Sequence, residues 1–214
     1  MNTLKNFDNR HLSTKTKIIA GVDEAGRGPL AGPVVAAAVI FDRKTFYKEI
    51  NDSKKLTEAK REELYEWITE NCKSYGVGII DHEEIDEINI LQATLKAMKS
   101  AVGQLHRKPN LVLIDGNKSF HSALKTKTIV KGDAKSFSIA AASIIAKVTR
   151  DRIMREASNK FPEYCWDQNK GYGTRAHIEA VKKHGACLMH RKTFLKNILV
   201  EKNLESLSLI AKDR

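Results

Sequence analysis

Cysteine is scarce in this chain: three residues in 214, Cys72, Cys165 and Cys187. An odd number without metal-ligand spacing gives neither a disulfide framework nor a zinc site, and a reducing, cytoplasmic setting is expected. Long apolar runs are missing too. The longest, residues 31–41, is too short and too broken by Pro33 to span a bilayer, and the first seventeen residues lack the apolar segment of a signal peptide. No membrane association is expected. A P-loop motif is also absent, which excludes nucleotide hydrolysis by that route. Acids are outnumbered, 26 Asp and Glu against 37 Lys and Arg, for a formal charge of +11. That surplus suits a polyanionic partner. Residues 170–196 hold seven of the cations against one acid, Glu179.

What is present centres on residues 21–33, Gly-Val-Asp-Glu-Ala-Gly-Arg-Gly-Pro-Leu-Ala-Gly-Pro. Two adjacent carboxylates, Asp23 and Glu24, close an apolar run and open a glycine-rich turn. Successive strand residues point to opposite faces, so both acids can serve one site only where the chain leaves regular geometry. Gly26 and Gly28 give that freedom. Gly26-x-Gly28-x-x-Ala31 formally meets a dinucleotide fingerprint, but that motif must open a helix. Here Pro29 and Pro33 intervene and the β-rich run 34–41 follows, so strand, turn, strand is the reading. Taken alone, the two acids are equally compatible with capping a tight hairpin.

Along the chain, residues 1–16 read as a loose polar tail, 17–23 and 34–41 as a hairpin, 58–72 as a helix and 73–80 as a third strand. The acid-rich run Asp81 to Glu87 is read as a solvated first helical turn rather than a metal site, leading into a helix through Leu105. Two further apolar runs end in a carboxylate beside glycine: residues 111–114 before Asp115-Gly116, and 128–130 before Lys131-Gly132-Asp133. Both read as strands buried on two faces. In open α/β sheets functional groups gather beyond the carboxyl ends of the strands, so Asp23, Glu24, Asp115 and Asp133 are expected at one edge of one sheet. Residues 134–159 read as a helix with a small-residue surface, Asp133 at its start as a cap, and Asp151 exposed between Lys147 and Arg155. A helix over 174–184 follows, and the chain from Leu195 onward is expected to be helical. The domain expected is 17–200, with a tail at 201–214.

Four carboxylates packed without cations repel, and one or more takes up a proton. Hard divalent cations prefer oxygen ligands, and a pair of them suits an in-line phosphoryl displacement. An acidic cluster in a basic chain therefore points to a metal nuclease, with a junction-resolving or other DNA nuclease and a silent duplex-binding module as alternatives. Lys54, Lys182, Lys183, Arg191 and Lys192 are candidate phosphate contacts.

The turn at 23–33 resembles the opening signature of ribonuclease HII. The resemblance continues in order through Asp52-Ser-Lys-Lys-Leu56, Leu113-Ile-Asp-Gly116, Lys131-Gly-Asp133, residues 141–151, Lys170-Gly-Tyr-Gly-Thr174 and His190-Arg-Lys-Thr-Phe194. It implies the ribonuclease H fold, a five-stranded mixed sheet flanked by helices, with a C-terminal helical extension. It maps catalytic, metal-binding acids onto Asp23, Glu24, Asp115 and Asp133, holding two divalent cations, Mg²⁺ or Mn²⁺. It implies cleavage on the 5′ side of a ribonucleotide in an RNA-DNA hybrid or embedded in duplex DNA; a monomer is expected. Gly26, Arg27, Gly28 and Tyr172 match the positions that sense the ribose 2′-hydroxyl, the group that tells RNA from DNA. Arg27 separates the chain from the sister class, ribonuclease HIII. One departure is Asn169, where the family commonly has histidine, which puts the packing of that loop in question.

Overall fold

The computed structural model describes residues 3–51, 53–196 and 198. In chain order the elements are α1 (Thr3–Arg10), β1 (Ile19–Ala25), β2 (Val34–Ile40), α2 (Glu58–Asn71), β3 (Ser74–Ile80), α3 (His82–Gly103), β4 (Leu111–Asp115), β5 (Thr126–Ile129), α4 (Phe137–Lys160), α5 (Trp166–Asn169) and α6 (Arg175–His184). The five strands form one sheet in the order β3-β2-β1-β4-β5. The first three pair antiparallel, whereas β4 runs parallel to β1 and β5 parallel to β4. This mixed α/β sheet is the architecture expected. Its parallel pairs bring the carboxyl ends of β1, β4 and β5 to the same side.

Alternation along β2 explains why an antiparallel strand reads as a solid apolar run. Val35, Ala37 and Val39 pack with Leu64 and Ile68 of α2 and with the alanines of α4. Val34, Ala36 and Ala38 pack on the opposite face with Ala93, Ala97 and Ala101 of α3. Helices cover both faces, so every β2 residue is buried. The small-residue surface of α4 lets it approach closely: a Cβ at Gly21 of β1 would lie 2.2 Å from the Ser138 carbonyl carbon. On the outer rim, Gln104 at the end of α3 completes the ladder of β3. Its side chain accepts from the Val77 amide (3.4 Å) and donates to the Val77 carbonyl (2.9 Å).

Several expectations are corrected. Residues 3–10 are helix, not loose tail, and Asp8 of α1 is buried. Its carboxylate accepts from Ser136 Oγ (2.5 Å), Ser138 N (2.9 Å) and Ser138 Oγ (2.8 Å), which docks α1 onto the start of α4. Burial pushes the Asp8 carboxyl up while those hydrogen bonds pull against it. The cap of α4 is Ser136, accepting from Ile139 N at 3.2 Å, and Asp133 sits instead in a short 3-10 turn over Gly132–Ala134. Asp151 is buried against Lys147 (2.7 Å) rather than exposed. Arg155 turns to α2 and pairs there with Glu58 and Glu62. β5 is an edge strand with Lys127 and Thr128 exposed, not buried on two faces. The acidic run behaves as expected at its start, with Asp81 capping α3 by accepting from Glu84 N at 2.8 Å. α3 is kinked at Asn89 (φ 66°). The helix from Leu195 is described only through residue 196 and at 198; its continuation and the 201–214 tail lie outside the described residues.

Candidate metal centre

Three of the four predicted acids meet. Carboxylate oxygens of Asp23 (β1), Asp115 (the last residue of β4) and Asp133 (the turn after β5) lie within 4.8 Å of one another, the one group of potential metal ligands of this kind among the described residues. The sheet does this work: Asp115 ends β4, Asp133 follows β5, and Asp23 lies two residues inside the end of β1, all towards the same side. Each is also aimed by a backbone amide: Glu24 N donates to Asp23 Oδ1 (2.7 Å), Gly132 N to Asp115 Oδ1 (2.5 Å) and Ala134 N to Asp133 Oδ1 (2.9 Å). One oxygen of each carboxylate is thereby oriented.

Electrostatics at the cluster call for positive charge. Burial, and then Glu24, Asp115 and Asp133, push the Asp23 carboxyl well above its ordinary range. Glu24 is raised chiefly by burial. Contrary to the expected break, the chain keeps regular strand pairing through both acids, Asp23 against Ala37 and Glu24 against Ala36; the Glu24 carboxylate accepts from Arg27 Nη1 at 3.2 Å and lies outside the group of three. Lys54 lies at the rim, with Nζ 3.6 Å from Asp133 Oδ2. An all-oxygen donor set of mutually repelling carboxylates fits a divalent cation of the Mg²⁺ or Mn²⁺ kind.

The turn after β1 carries Gly26, Arg27 and Gly28 immediately beyond the acids, and the loop 169–172 is stitched to it. Leu30 N donates to Gly171 O at 2.8 Å. Asn169 secures that second loop itself, its side chain donating to Tyr164 O (2.7 Å) and accepting from Gly171 N (2.8 Å), which answers the question its departure raised. Tyr172 is 42% exposed at the surface. Its ring has Lys147 Nζ at 5.7 Å, a cation that the sequence reading left out of the site. Beneath the loop, His177 Nδ1 lies 2.9 Å from Tyr172 O, while its Nε2 accepts from Trp166 Nε1 and meets His190 Nε2 at 3.1 Å.

The predicted cations separate. Lys182 and Lys183 lie in the last turn of α6, and Lys183 and Lys192 are exposed. Arg191 is not a phosphate contact: it is wholly buried and its guanidinium donates inward to the carbonyls of Gly32, Arg27 and Gly26. Asp86 takes up the neighbouring chain, accepting from Lys192 N (2.7 Å) and Thr193 N (3.0 Å). No helix among the described residues is long and apolar enough to cross a membrane.

Comparison with known proteins agrees with this geometry. The family model described as Ribonuclease HII matches residues 20–197. The ribonuclease HII of Acetivibrio thermocellus is 59% identical over 184 residues, spanning 86% of this chain and 72% of that protein. That of Caldanaerobacter subterraneus is 55% identical over 196 residues, spanning 92% of this chain and 81% of its own. Among solved structures, the ribonuclease H2 of Pyrococcus horikoshii superimposes with a TM-score of 0.73 at 29% identity, covering 87% of this chain and 99% of that one. A strand-end triad of acids, the glycine-arginine-glycine turn beside it and a match across nearly the whole fold place this chain in the ribonuclease HII family of ribonuclease H endonucleases.

Proposed function

We propose that the chain hydrolyses the phosphodiester on the 5′ side of a ribonucleotide, in RNA-DNA hybrids or where single ribonucleotides lie in duplex DNA, leaving 3′-hydroxyl and 5′-phosphate ends. Its task is then the removal of misincorporated ribonucleotides. The observation that carries the reading is the convergence of Asp23, Asp115 and Asp133 within 4.8 Å directly beside the Gly26 to Gly28 turn. Asp23, Asp115 and Asp133, with Glu24 adjoining, hold the divalent cations. Bound there as a pair, these supply water activation and stabilisation of the departing oxygen in an in-line displacement.

The chain's own residues do the rest. Glu24 N, Gly132 N and Ala134 N fix the carboxylates before substrate arrives, so little reorganisation is needed. The Gly26 to Gly28 turn and Tyr172 read the ribose, and Lys54, Lys182, Lys183 and Lys192 engage phosphates without reading sequence. We count α1 with the catalytic domain, because Asp8 accepts from Ser136 and Ser138 at the start of α4. The test incubates the protein and Mg²⁺ with duplex DNA holding one ribonucleotide, beside an all-DNA duplex and a four-way junction. Incision at the ribonucleotide alone supports the reading; cutting of the junction or of plain duplex, or binding with no incision, refutes it. Asp115→Asn should abolish incision and spare duplex binding.

A further inference from the structure

Among the described residues two arginines have no exposed surface, Arg150 and Arg191, and the catalytic scheme leaves both unused. Each guanidinium is satisfied wholly by backbone. Arg150 Nε donates to Pro33 O (3.0 Å), Nη1 to Lys170 O (2.9 Å) and Nη2 to Ala31 O (3.0 Å). Arg191 Nε donates to Gly32 O (3.0 Å), Nη1 to Arg27 O (3.1 Å) and Nη2 to Gly26 O (2.6 Å). All six acceptors are carbonyls, and five belong to the turn 26–33. Burying a charge without a carboxylate partner is costly. Here the cost is offset by carbonyl dipoles that an ordinary loop would turn to solvent. A lysine could not replace either group, because one ammonium cannot span three carbonyls laid out for a planar fork.

In a trans peptide the C=O and N–H point opposite ways. Drawing the carbonyls of Gly26 and Arg27 inward therefore turns the N–H groups of Arg27 and Gly28 outward, and among the described residues neither amide has an acceptor. We propose that Arg150 and Arg191 are positioning residues for ribose recognition: they hold the turn so that the Arg27 and Gly28 amides face the 2′-hydroxyl, and Arg150 locks the Tyr172 loop to the same frame through Lys170. The inference rests on the function proposed above. Gly26 fits this role twice over. It adopts φ +94°, and a Cβ there would lie 2.1 Å from Arg150 Nε, so only glycine lets the fork lie flat against the turn. The buried Arg150 guanidinium also stands 5.7 Å from the Tyr172 ring.

The test separates recognition from folding. Affinity is read by fluorescence anisotropy in EDTA, where no cleavage intervenes, on two duplexes of one sequence, one all-DNA and one with a single ribonucleotide. The wild type should favour the ribonucleotide duplex by about tenfold, the scale of one or two well-placed hydrogen bonds. Arg191→Lys and Arg150→Lys should bring that preference to within about twofold of unity while the all-DNA affinity stays within about twofold of wild type. With Mg²⁺, kcat should fall further than KM rises. Retained preference, or equal loss on both duplexes, overturns the inference. So does a wild type that incises at the ribonucleotide yet binds both duplexes alike, while one that does neither overturns the underlying function too. Should the lysine variants fail to fold, amide exchange in the wild type decides: the Arg27 and Gly28 amides must be protected by the ribonucleotide duplex and not by all-DNA, or the inference falls.

Discussion

Replacing Asp23 by asparagine should make the metal-free protein more stable, against the usual outcome for a buried residue. Asp23 is 5% exposed and shares its surroundings with Asp115 and Asp133 within 4.8 Å. Two full charges at that distance repel by roughly 3.5 kcal/mol at an effective dielectric constant of 20 and by roughly 0.9 kcal/mol in bulk water. Asparagine removes two of the three repulsions within the triad, and that with Glu24 besides, and keeps the oxygen that accepts from Glu24 N. Because the native state can also relieve the strain by taking up a proton, a net gain of about 2 kcal/mol is expected near pH 8, or a rise of about 4–8 °C in Tm. Its pH dependence follows from the raised carboxyl pKa. A native state that binds this proton more tightly than the unfolded chain loses stability as pH climbs from about 4 through the folded value, and levels off above it. The variant's advantage is therefore absent near pH 4 and grows as pH rises through the raised folded value. Magnesium should reverse the order, since wild type gains RT ln(1 + [Mg²⁺]/Kd), about 2.7 kcal/mol at a hundred times Kd, and the variant gains less. Thermal melts in EDTA and in Mg²⁺ across pH measure all of this. An Asp23→Asn protein no more stable than wild type in EDTA at mildly alkaline pH would refute the electrostatic reading of the cluster.

Asp8→Ala should cost about 3 kcal/mol in urea unfolding, because it strands Ser136 Oγ and the Ser138 amide and hydroxyl in the interior; a loss under about 1 kcal/mol would mean α1 is not docked as described. His190 is pushed down to about 4 by burial and by His177, so the unfolded chain protonates first as pH falls below about 6.5. Stability should then decline between roughly pH 6.5 and 4, by up to about 3 kcal/mol, and His190→Gln should flatten that decline in urea titrations. Replacing Lys182, Lys183 and Lys192 together by alanine should lower the slope of log affinity against log salt by about 0.9 for each lysine that meets a phosphate, with no change in sequence preference. An unchanged slope would remove them from the interface.

The acids were legible because strand endings announce themselves: an apolar run followed by a carboxylate with glycine close by, repeated at Asp23, Asp115 and Asp133. The hairpin at 26–33 was legible for a similar reason, since prolines forbid the helix a dinucleotide site requires. What escaped depends on partners distant in sequence. Nothing local marks Arg191 as a cation of the basic segment that turns inward, for its acceptors are carbonyls near the other end of the chain. Asp8 and Lys5 made α1 look like a solvated tail, although both are buried. Asp133 and Ser136 compete for the same cap, and the 3-10 turn over Gly132–Ala134 gives it to the serine while freeing the aspartate for the cluster.

Gln104 bears on a different matter, how the molecule behaves in a crowd. A sheet rim is an open invitation to strands from other copies, and proteins that gather along one long polyelectrolyte meet their copies often. At Val77 the invitation is withdrawn by a carboxamide that imitates a peptide group, donating and accepting as a sixth strand would. Shortening it to alanine would reopen that rim, and the penalty would be paid in sedimentation and turbidity rather than in turnover.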